Sequence, residues 1–532
     1  MTAFSLQYQL GDLDTIEEVL TALTSRFRLG TEPEKTVRHS FYDSFDWRLY
    51  QAGMQLDEVM GRDLHHLVLR NLTDDAPFET LRLEGDVPRF AWDYAAGLLR
   101  ERITDPLEMR ALLPIVEIRS RIIGLKLFDR EEKTVLRLQM EANHVKPHGR
   151  AEYHPMINRV RLLPVRGYDK YLNQVARFLA AKLGLQQQSQ PLIALALAGI
   201  DRQPLDYSSK LGFALQPDTP AVDVARLIHS TLLDTLEQNL PGTRADLDSE
   251  FLHDLRVAVR RTRSALTQIK GVFSEAITTE YKERFAWIGQ ITGPTRDLDV
   301  YLLGFDEYKN SLPEPFQADL APLHDFLVAH QKSEQQALVR KINSPHFHSL
   351  VKAWRSFLSS PSLPEDEGEQ AHKPIKKVAR KRIYRTFRLV LEEGLAIHPH
   401  SQPEELHELR KSCKKLRYLL EFFQSLYPKD QIKPLIKTLK ILLENLGDYQ
   451  DLEVQADKLR AFAHQMVEEG EVPADTLLAM GMLVDGLLKR QQEARVAFAD
   501  RFALFANPQQ LESYEQLFGS GKQNAKVDGA KS

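Results

Sequence analysis

A chain of 532 residues is longer than one ordinary hydrophobic core supports, so two or more domains are expected. Its 43% hydrophobic and 27% charged content is that of a globular protein, and a net charge of -4 excludes a generally basic surface. Any anion site must therefore come from local clustering of charge. A single cysteine, Cys413, excludes a disulfide framework and a thiolate metal cluster.

The opening MTAFSLQYQL has no basic stretch leading into an apolar run, so no signal peptide is expected. The longest apolar stretch, Pro191 to Ile200, is about half of what a membrane span needs. A cytoplasmic location without a membrane partner is the expectation.

Residues 1–185 are strand-rich by pattern. Thr36 to Tyr42, Leu64 to Leu72, Glu79 to Glu84, Ile115 to Ile122, Thr134 to Ala142 and Arg159 to Val165 are short, roughly alternating runs bounded by turn residues. Helical spacing interrupts them at Asp14 to Phe27 and Ala91 to Arg102, and Leu172 to Leu185 reads as a closing helix. Residues 186–217 read as a linker rich in Gln, Pro and Ser. From 218 to 506 the periodicity is helical, broken only by the acidic segment PSLPEDEGEQ within 359–374. The stretch 507–532 is expected to be a disordered tail.

The helical half repeats itself. Residues 253–263 read HDLRVAVRRTR and residues 407–417 read HELRKSCKKLR. Forty residues after each histidine follows a second matched segment, GPTRDLDV from Gly293 and GDYQDLEV from Gly447. Agreement in both motif and register implies a duplicated unit, about 218–358 and 375–506. Each copy has room for about four helices, so two similar bundles are predicted.

At about 100° per residue, His253, Arg256, Arg260 and Arg263 share one stripe of a helix about 80° wide. His407, Arg410, Lys414 and Arg417 form the matching stripe, and Arg261, Lys411 and Lys415 broaden the basic side. In the second copy, Lys377, Lys381, Arg385 and Arg388 make a further row, as do Lys433, Lys437 and Lys440. Like charges so spaced destabilise an isolated helix, so a row of this kind needs acidic partners or an external anion. A single basic run is most often a solvated face, and Asp297 or Asp451 would neutralise part of a stripe if paired with it. Recurrence in one register, over several helices, favours an anion site.

The residue types suit phosphate, which Arg engages in bidentate fashion and Lys as a point charge. Tyr384, Tyr418 and Tyr449 lie near the rows but form no regular stacking platform, which argues against nucleic acid. Neither His253 nor His407 has a second His or a carboxylate at i+3 or i+4, so no metal site is expected there.

These paired segments resemble the CHAD domain over roughly 218–506. The resemblance implies an all-α region of two pseudo-twofold four-helix bundles whose basic groove binds inorganic polyphosphate, in chains or in polyphosphate granules. The N-terminal region is similar to the CYTH domain of triphosphate tunnel metalloenzymes, an α+β antiparallel tunnel. The similarity rests on FYDSFDWRLYQAGMQL (Phe41 to Leu56) and VEIRSR (Val116 to Arg121). That family opens with an E-x-E-x-K strand that holds the divalent cation, where this chain has Ser5 to Gln9. Asp57 and Glu58 replace a basic pair, and Arg161 and Leu163 replace an acidic one. Glu117 and Glu141 remain as acids in that region, and Arg70, Arg119 and Arg121 as bases, with the basic residues of VEIRSR expected inside the tunnel.

Because in-line phosphoryl transfer leans on the metal, the resemblance with these losses implies a domain without triphosphatase activity. No cofactor is expected, Mg²⁺ entering only if activity persists. The alternatives are a Mg/Mn-dependent triphosphatase or polyphosphatase in the N-terminal domain, and a nucleic-acid or protein interaction module.

Overall fold

The computed structural model describes residues 6–10, 13–361, 363–470 and 472–519, in two compact units that divide between Ser208 and Ser209. The first unit runs β1 (Leu6–Leu10), α1 (Leu13–Arg26), β2 (Leu29–Thr31), β3 (Lys35–Asp43), α2 (Arg48–Gln51), β4 (Met54–Gly61), β5 (Leu64–Asn71) and β6 (Pro77–Arg82). It continues through α3 (Leu98–Leu107), β7 (Leu113–Phe128), β8 (Thr134–Pro147), β9 (His154–Pro155), β10 (Asn158–Pro164), α4 (Asp169–Leu183) and α5 (Leu192–Ala198). The strands form one sheet in the order β1-β10-β8-β7-β3-β4-β5-β6, with β2 on β7, β9 on β8, and every pairing antiparallel.

This sheet curls on itself. In a flat sheet β10 and β5 would stand five strand spacings apart, about 24 Å. Yet Arg161 on β10 reaches Asp75, in the turn after β5, at 3.3 Å. Alternation sorts the side chains into an outer and an inner face. Outside, α1 and α4 cover the end around β8 and β10, while α3 covers β4 and β5. Inside lie His39, Asp57, Arg70 and Glu141 with a small apolar set, Val37, Val59, Val68 and Ile122.

The apolar run at Pro191 to Ile200 is not linker. It forms α5, whose Leu192, Ile193, Leu195, Ala196 and Leu197 are buried against Phe41, Val116, Ile118 and Val145 on the inner face. Gln186 and Gln188 also extend the β1 edge through backbone bonds to Gln9 and Gln7. The segment predicted as a connection therefore belongs to the first unit as far as Ser208, because its leucines need an apolar surface to cover.

In the second unit α6 (Ala221–Ala245), α7 (Ser249–Gln268), α8 (Glu275–Ile291), α9 (Gly293–Leu303), the short α10 (Phe305–Ser311) and α11 (Glu314–Gln317), α12 (Ala321–Ile342) and α13 (Pro345–Ser359) make the first copy. The second is α14 (Ile375–Ala396), α15 (Pro403–Phe423), α16 (Lys429–Glu469), α17 (Ala474–Phe505) and α18 (Pro508–Phe518). The duplication is literal. Helices α14, α15 and α16 each begin 154 residues after α6, α7 and α8. The copies also meet reciprocally: Ala221 N donates to Lys373 O at 3.0 Å, and the equivalent Ile375 N donates to Thr219 O at 2.9 Å. Such exchange between equivalent positions is the mark of a twofold relation.

Two details differ from the sequence-based expectation. Each copy ends in an additional helix, α13 or α18, so the part of the expected tail up to Phe518 is ordered. Asn507 caps α18, and Tyr514 and Phe518 are buried. The rest of the predicted tail, from residue 520, lies outside the described residues. The apolar cores also cross the copies rather than dividing between them. One joins α6, α7, α8 and α13 to α14, α15, α16 and α18, and a second joins α9, α10 and α12 to the C-terminal half of α16 and the N-terminal half of α17. Periodicity shows that a helix has an apolar side but not which helix meets it.

Close packing yields a stability prediction. A Cβ on Gly242 in α6 would stand 2.3 Å from Cγ of the fully buried Phe251. Alanine ordinarily gains ~1 kcal/mol over glycine in a helix. Overpacking costs about 1–3 kcal/mol, so Gly242→Ala is expected to lower the thermal midpoint of the helical unit, read by circular dichroism.

Candidate anion groove and the interior of the sheet

Asp248 caps α7 by accepting from Glu250 N at 2.9 Å and Phe251 N at 3.3 Å, and a Gln402–Glu405 capping box starts α15. Leu255, Val259 and Leu266 bury one side of α7; Leu409, Leu416 and Leu420 bury the same side of α15. The two helices pack against each other, and Lys414 on the α15 stripe interacts electrostatically with Arg260 on the α7 stripe.

The innermost members are anchored. Arg256 Nη1 donates to Gly289 O at 3.0 Å and to Thr292 Oγ1 at 2.8 Å. Its counterpart Arg410 donates to Gln450 Oε1 at 2.7 Å and pairs with Asp451 at 3.0 Å. The matched segments lie beneath: a Cβ on Gly293 would stand 3.7 Å from Arg256, and one on Gly447 3.5 Å from Arg410. His407 Nδ1 contacts the Gln450 amide, and His253 sits half-buried at the equivalent place on α7. Arg261 donates to Ser209 O at 2.8 Å and approaches Glu421 at 3.7 Å; Arg417 pairs with the same Glu421 at 2.8 Å. Lys411 is taken by Glu408 at 2.7 Å.

Beside these anchored groups stand cations outside any ion pair among the described residues, with Asp451 acting on Lys414 only at longer range. Lys414 and its twofold counterpart Arg260 are electrostatic neighbours, with Arg410 and Arg417 beside them. No carboxylate among the described residues lies within 4 Å of Lys414, Arg260 or Arg263. Burial, then the Arg410 and Arg260 guanidiniums, push the Lys414 ammonium down to about 8. A lysine held partly out of water among arginines is a place where an external anion is favoured.

The acids that threatened to neutralise the stripes do so only in part. Asp451 pairs with Arg410, while Asp297 in the first copy pairs with Lys458 and acts on Arg256 through space. The outer rows stay outside the cluster. Lys377, Lys381, Arg385 and Arg388 on α14 are exposed, and none pairs with a groove residue. Lys433, Lys437 and Lys440 are exposed on the α16 stripe that continues to Gly447 and Asp451, with Glu444 interposed. Sequence reasoning missed Glu421, which ties Arg261 of one copy to Arg417 of the other. It also missed Gln450 and Arg296, the latter bound to Ser249 O at 3.2 Å. Glu421 stands four residues after Arg417, and that i+4 spacing was the available signal.

In the first unit the inner face is crossed by an ion network. Arg159 pairs with Glu141, and Arg161 lies 3.7 Å from Glu141 and 3.3 Å from Asp75. Arg70 bonds Asp57 at 3.0 Å, and His39 contacts the other Asp57 oxygen at 3.0 Å. Gln7, where the tunnel family carries a metal-binding acid, accepts from Arg159 at 2.9 Å. Burial alone would raise the Glu141 carboxyl, but Arg159 and Arg161 outweigh it and hold it low.

The inner donor set does not fit a divalent cation: its acids are engaged by arginines, and no group of three or more metal-type side chains is assembled among the described residues. Of the acids and bases noted in that region, Glu141 and Arg70 lie on the inner face. Glu117, Arg119 and Arg121 do not. Arg119 and Arg121 face His144 and Ala142 across the ladder, one step out of phase with Glu141, and so lie on the outer face. In the segment from Phe41 to Leu56, Asp43 is structural: its buried carboxylate accepts the backbone N–H groups of Ser44, Leu49 and Tyr50.

No helix among the described residues is long and apolar enough to cross a membrane. Two uncharacterized proteins of Mycobacterium tuberculosis, from strains CDC 1551 and H37Rv, are 25% identical over 327 residues. The match covers 58% of this chain and 59% of theirs. Among solved structures, the CHAD domain of the plant Ricinus communis is similar with a TM-score of 0.46 and 23% identity, over 56% of this chain and 95% of that one. A putative adenylyl cyclase from Hippeastrum, described as having a dominant triphosphatase activity, is similar with a TM-score of 0.26 and 12% identity over 39% of this chain and all of its own. The family model for the CHAD domain matches residues 228–460, which span both basic stripes and both matched segments. This chain carries a CHAD domain.

Proposed function

We propose that the chain binds inorganic polyphosphate in the groove between α7 and α15, holding chains of the kind gathered in granules rather than processing them. The observation that carries this reading is the pair Lys414 and Arg260, neither in an ion pair with a carboxylate among the described residues, with the anchored Arg256, Arg410 and Arg417 beside them. A linear polyanion supplies a charge at each repeat and suits a groove lined by cations from both sides. The tyrosines near the rows argue against stacked bases. Tyr449 is buried with Arg495 over its ring, Tyr418 packs towards Phe422, and the Tyr384 hydroxyl is bound to Glu515. A competition assay separates the ligands. Long-chain polyphosphate should displace single-stranded RNA of matched charge, whereas RNA winning that competition would overturn the reading. In the first unit, the inner ion network and α5 support a non-catalytic role for the domain.

Lys414 also sets a pH dependence. Bound phosphate returns its pKa towards the ordinary lysine value, so binding takes up a proton near pH 8 and above. Affinity should be flat below about pH 7 and fall as pH rises through 8, by up to about tenfold per unit. Lys414→Arg should abolish the fall, as seen by titration calorimetry at several pH values.

A further inference from the structure

The outer face of the first unit carries a charge arrangement that the groove does not explain. Across the three central strands, Arg38 on β3 faces Arg119 on β7, and Arg119 faces His144 on β8. The next row is Thr36, Arg121 and Ala142. Directly opposed side chains on neighbouring strands stand about 5 Å apart, and like charges placed so are destabilising. Here two arginines and a histidine share a row with no carboxylate in it.

Neighbouring acids do not neutralise the row. Glu117, one row away, is held by Lys146 at 3.3 Å and by the Tyr153 hydroxyl. Glu34 approaches Arg121 only at 3.8 Å, with both side chains about half exposed (47% and 49%), a pairing worth little. Arg119 rests on the Tyr153 ring at 4.4 Å, and the buried Arg38 Nε has no hydrogen-bond partner.

The helices leave this place open. Helices α1 and α4 cover one flank of the outer face and α3 the other. Between them lies a depression of about 400 Å³ lined by Thr36, Arg119, Arg121, Ala142 and His144. A dianionic phosphoryl group offers three terminal oxygens to converging guanidinium donors, and the remaining volume accommodates a small organic group.

We propose that this depression binds a small phosphate monoester, its phosphoryl group held by Arg119 and Arg121 with His144 at the side. The site is separate from the α7–α15 groove and from the inner face of the sheet. It gives the first unit a ligand of its own.

Calorimetry on the full chain tests this, with glycerol 3-phosphate as probe and inorganic phosphate as the second arm. Both titrations use the Arg260→Glu/Lys414→Glu background, which removes the groove. One saturable site is expected, the monoester binding at least as well as phosphate, with affinity falling tenfold or more on Arg119→Gln/Arg121→Gln. Those substitutions relieve repulsion, so the melting midpoint should hold or rise. Protection of Arg119 from phenylglyoxal by glycerol 3-phosphate, read by mass spectrometry on the unsubstituted chain, provides a check independent of variant folding. An unchanged affinity in the Gln variant, or no protection, overturns the proposal. Failure of the groove reading would appear instead as undiminished long-chain polyphosphate binding in the background variant.

Discussion

Reversing Arg260 and Lys414 together to glutamate is expected to cut polyphosphate affinity by on the order of 100- to 10,000-fold. Each contributes a charge-assisted contact worth about 1.5–3 kcal/mol, so two sum to about 3–6 kcal/mol. These two are the informative positions because neither has a carboxylate within 4 Å among the described residues. Arg256 and Arg410, the more obvious pair from the repeated motif, are poorer probes. Arg256 holds the α8 carbonyl of Gly289 and the Thr292 hydroxyl, and Arg410 holds Gln450 and Asp451. Their removal would disturb the walls of the groove as well as its charge. Equilibrium binding to long-chain polyphosphate, with circular dichroism to verify the helices, reads the effect. A loss under threefold would place the ligand elsewhere.

The second large effect is predicted in the first unit. Glu141→Ala should destabilise it by about 3–5 kcal/mol, because among the described residues it leaves the buried Arg159 side chain with the Gln7 oxygen in place of a carboxylate. Removing Glu132 from its exposed pair with Arg28 should cost less than about 1 kcal/mol and serves as the control. Hydrogen exchange of β7 and β8, followed by mass spectrometry, localises the change to this unit. The sign of the pH dependence follows from the same pair. The Glu141 carboxyl is held below its ordinary value, so its stabilisation is complete above about pH 4.3 and lost as pH falls through the lower folded value. An unaltered exchange pattern in Glu141→Ala would show that the network does not hold the sheet together.

The helical half was legible because duplication states its own register. HDLRVAVRRTR and HELRKSCKKLR predict two equivalent stripes, and the helices that carry them, α7 and α15, pack against each other. What the stripes could not show was which of their cations are already used. That depends on residues distant in sequence, such as Glu421 reaching Arg261 and Lys458 reaching Asp297. The outer rows on α14 and α16 read as strongly as the stripes, yet among the described residues no ion pair joins them to Lys414 or Arg260.

The strand half was legible in its elements but not in its faces. One residue of register decides whether a side chain points inwards, and the VEIRSR segment gave no means of choosing. The arginines expected inside the sheet lie outside, and the positions exchanged for opposite charge, Asp57 and Arg161, turn out to be paired within the inner network. The apolar run ending the region reads as a connection because a seven-residue helix is too short to announce itself by periodicity.

The central claim is that a groove shared by the two helical copies holds a linear polyanion. Affinity of the intact chain for long-chain polyphosphate, measured from about 50 to 300 mM salt, tests it most directly. Log affinity should fall linearly and steeply with log salt as counterions are released, as they are from other linear polyanions, while binding remains measurable near 150 mM. Affinity indifferent to salt, or no binding at the lowest ionic strength, would contradict it.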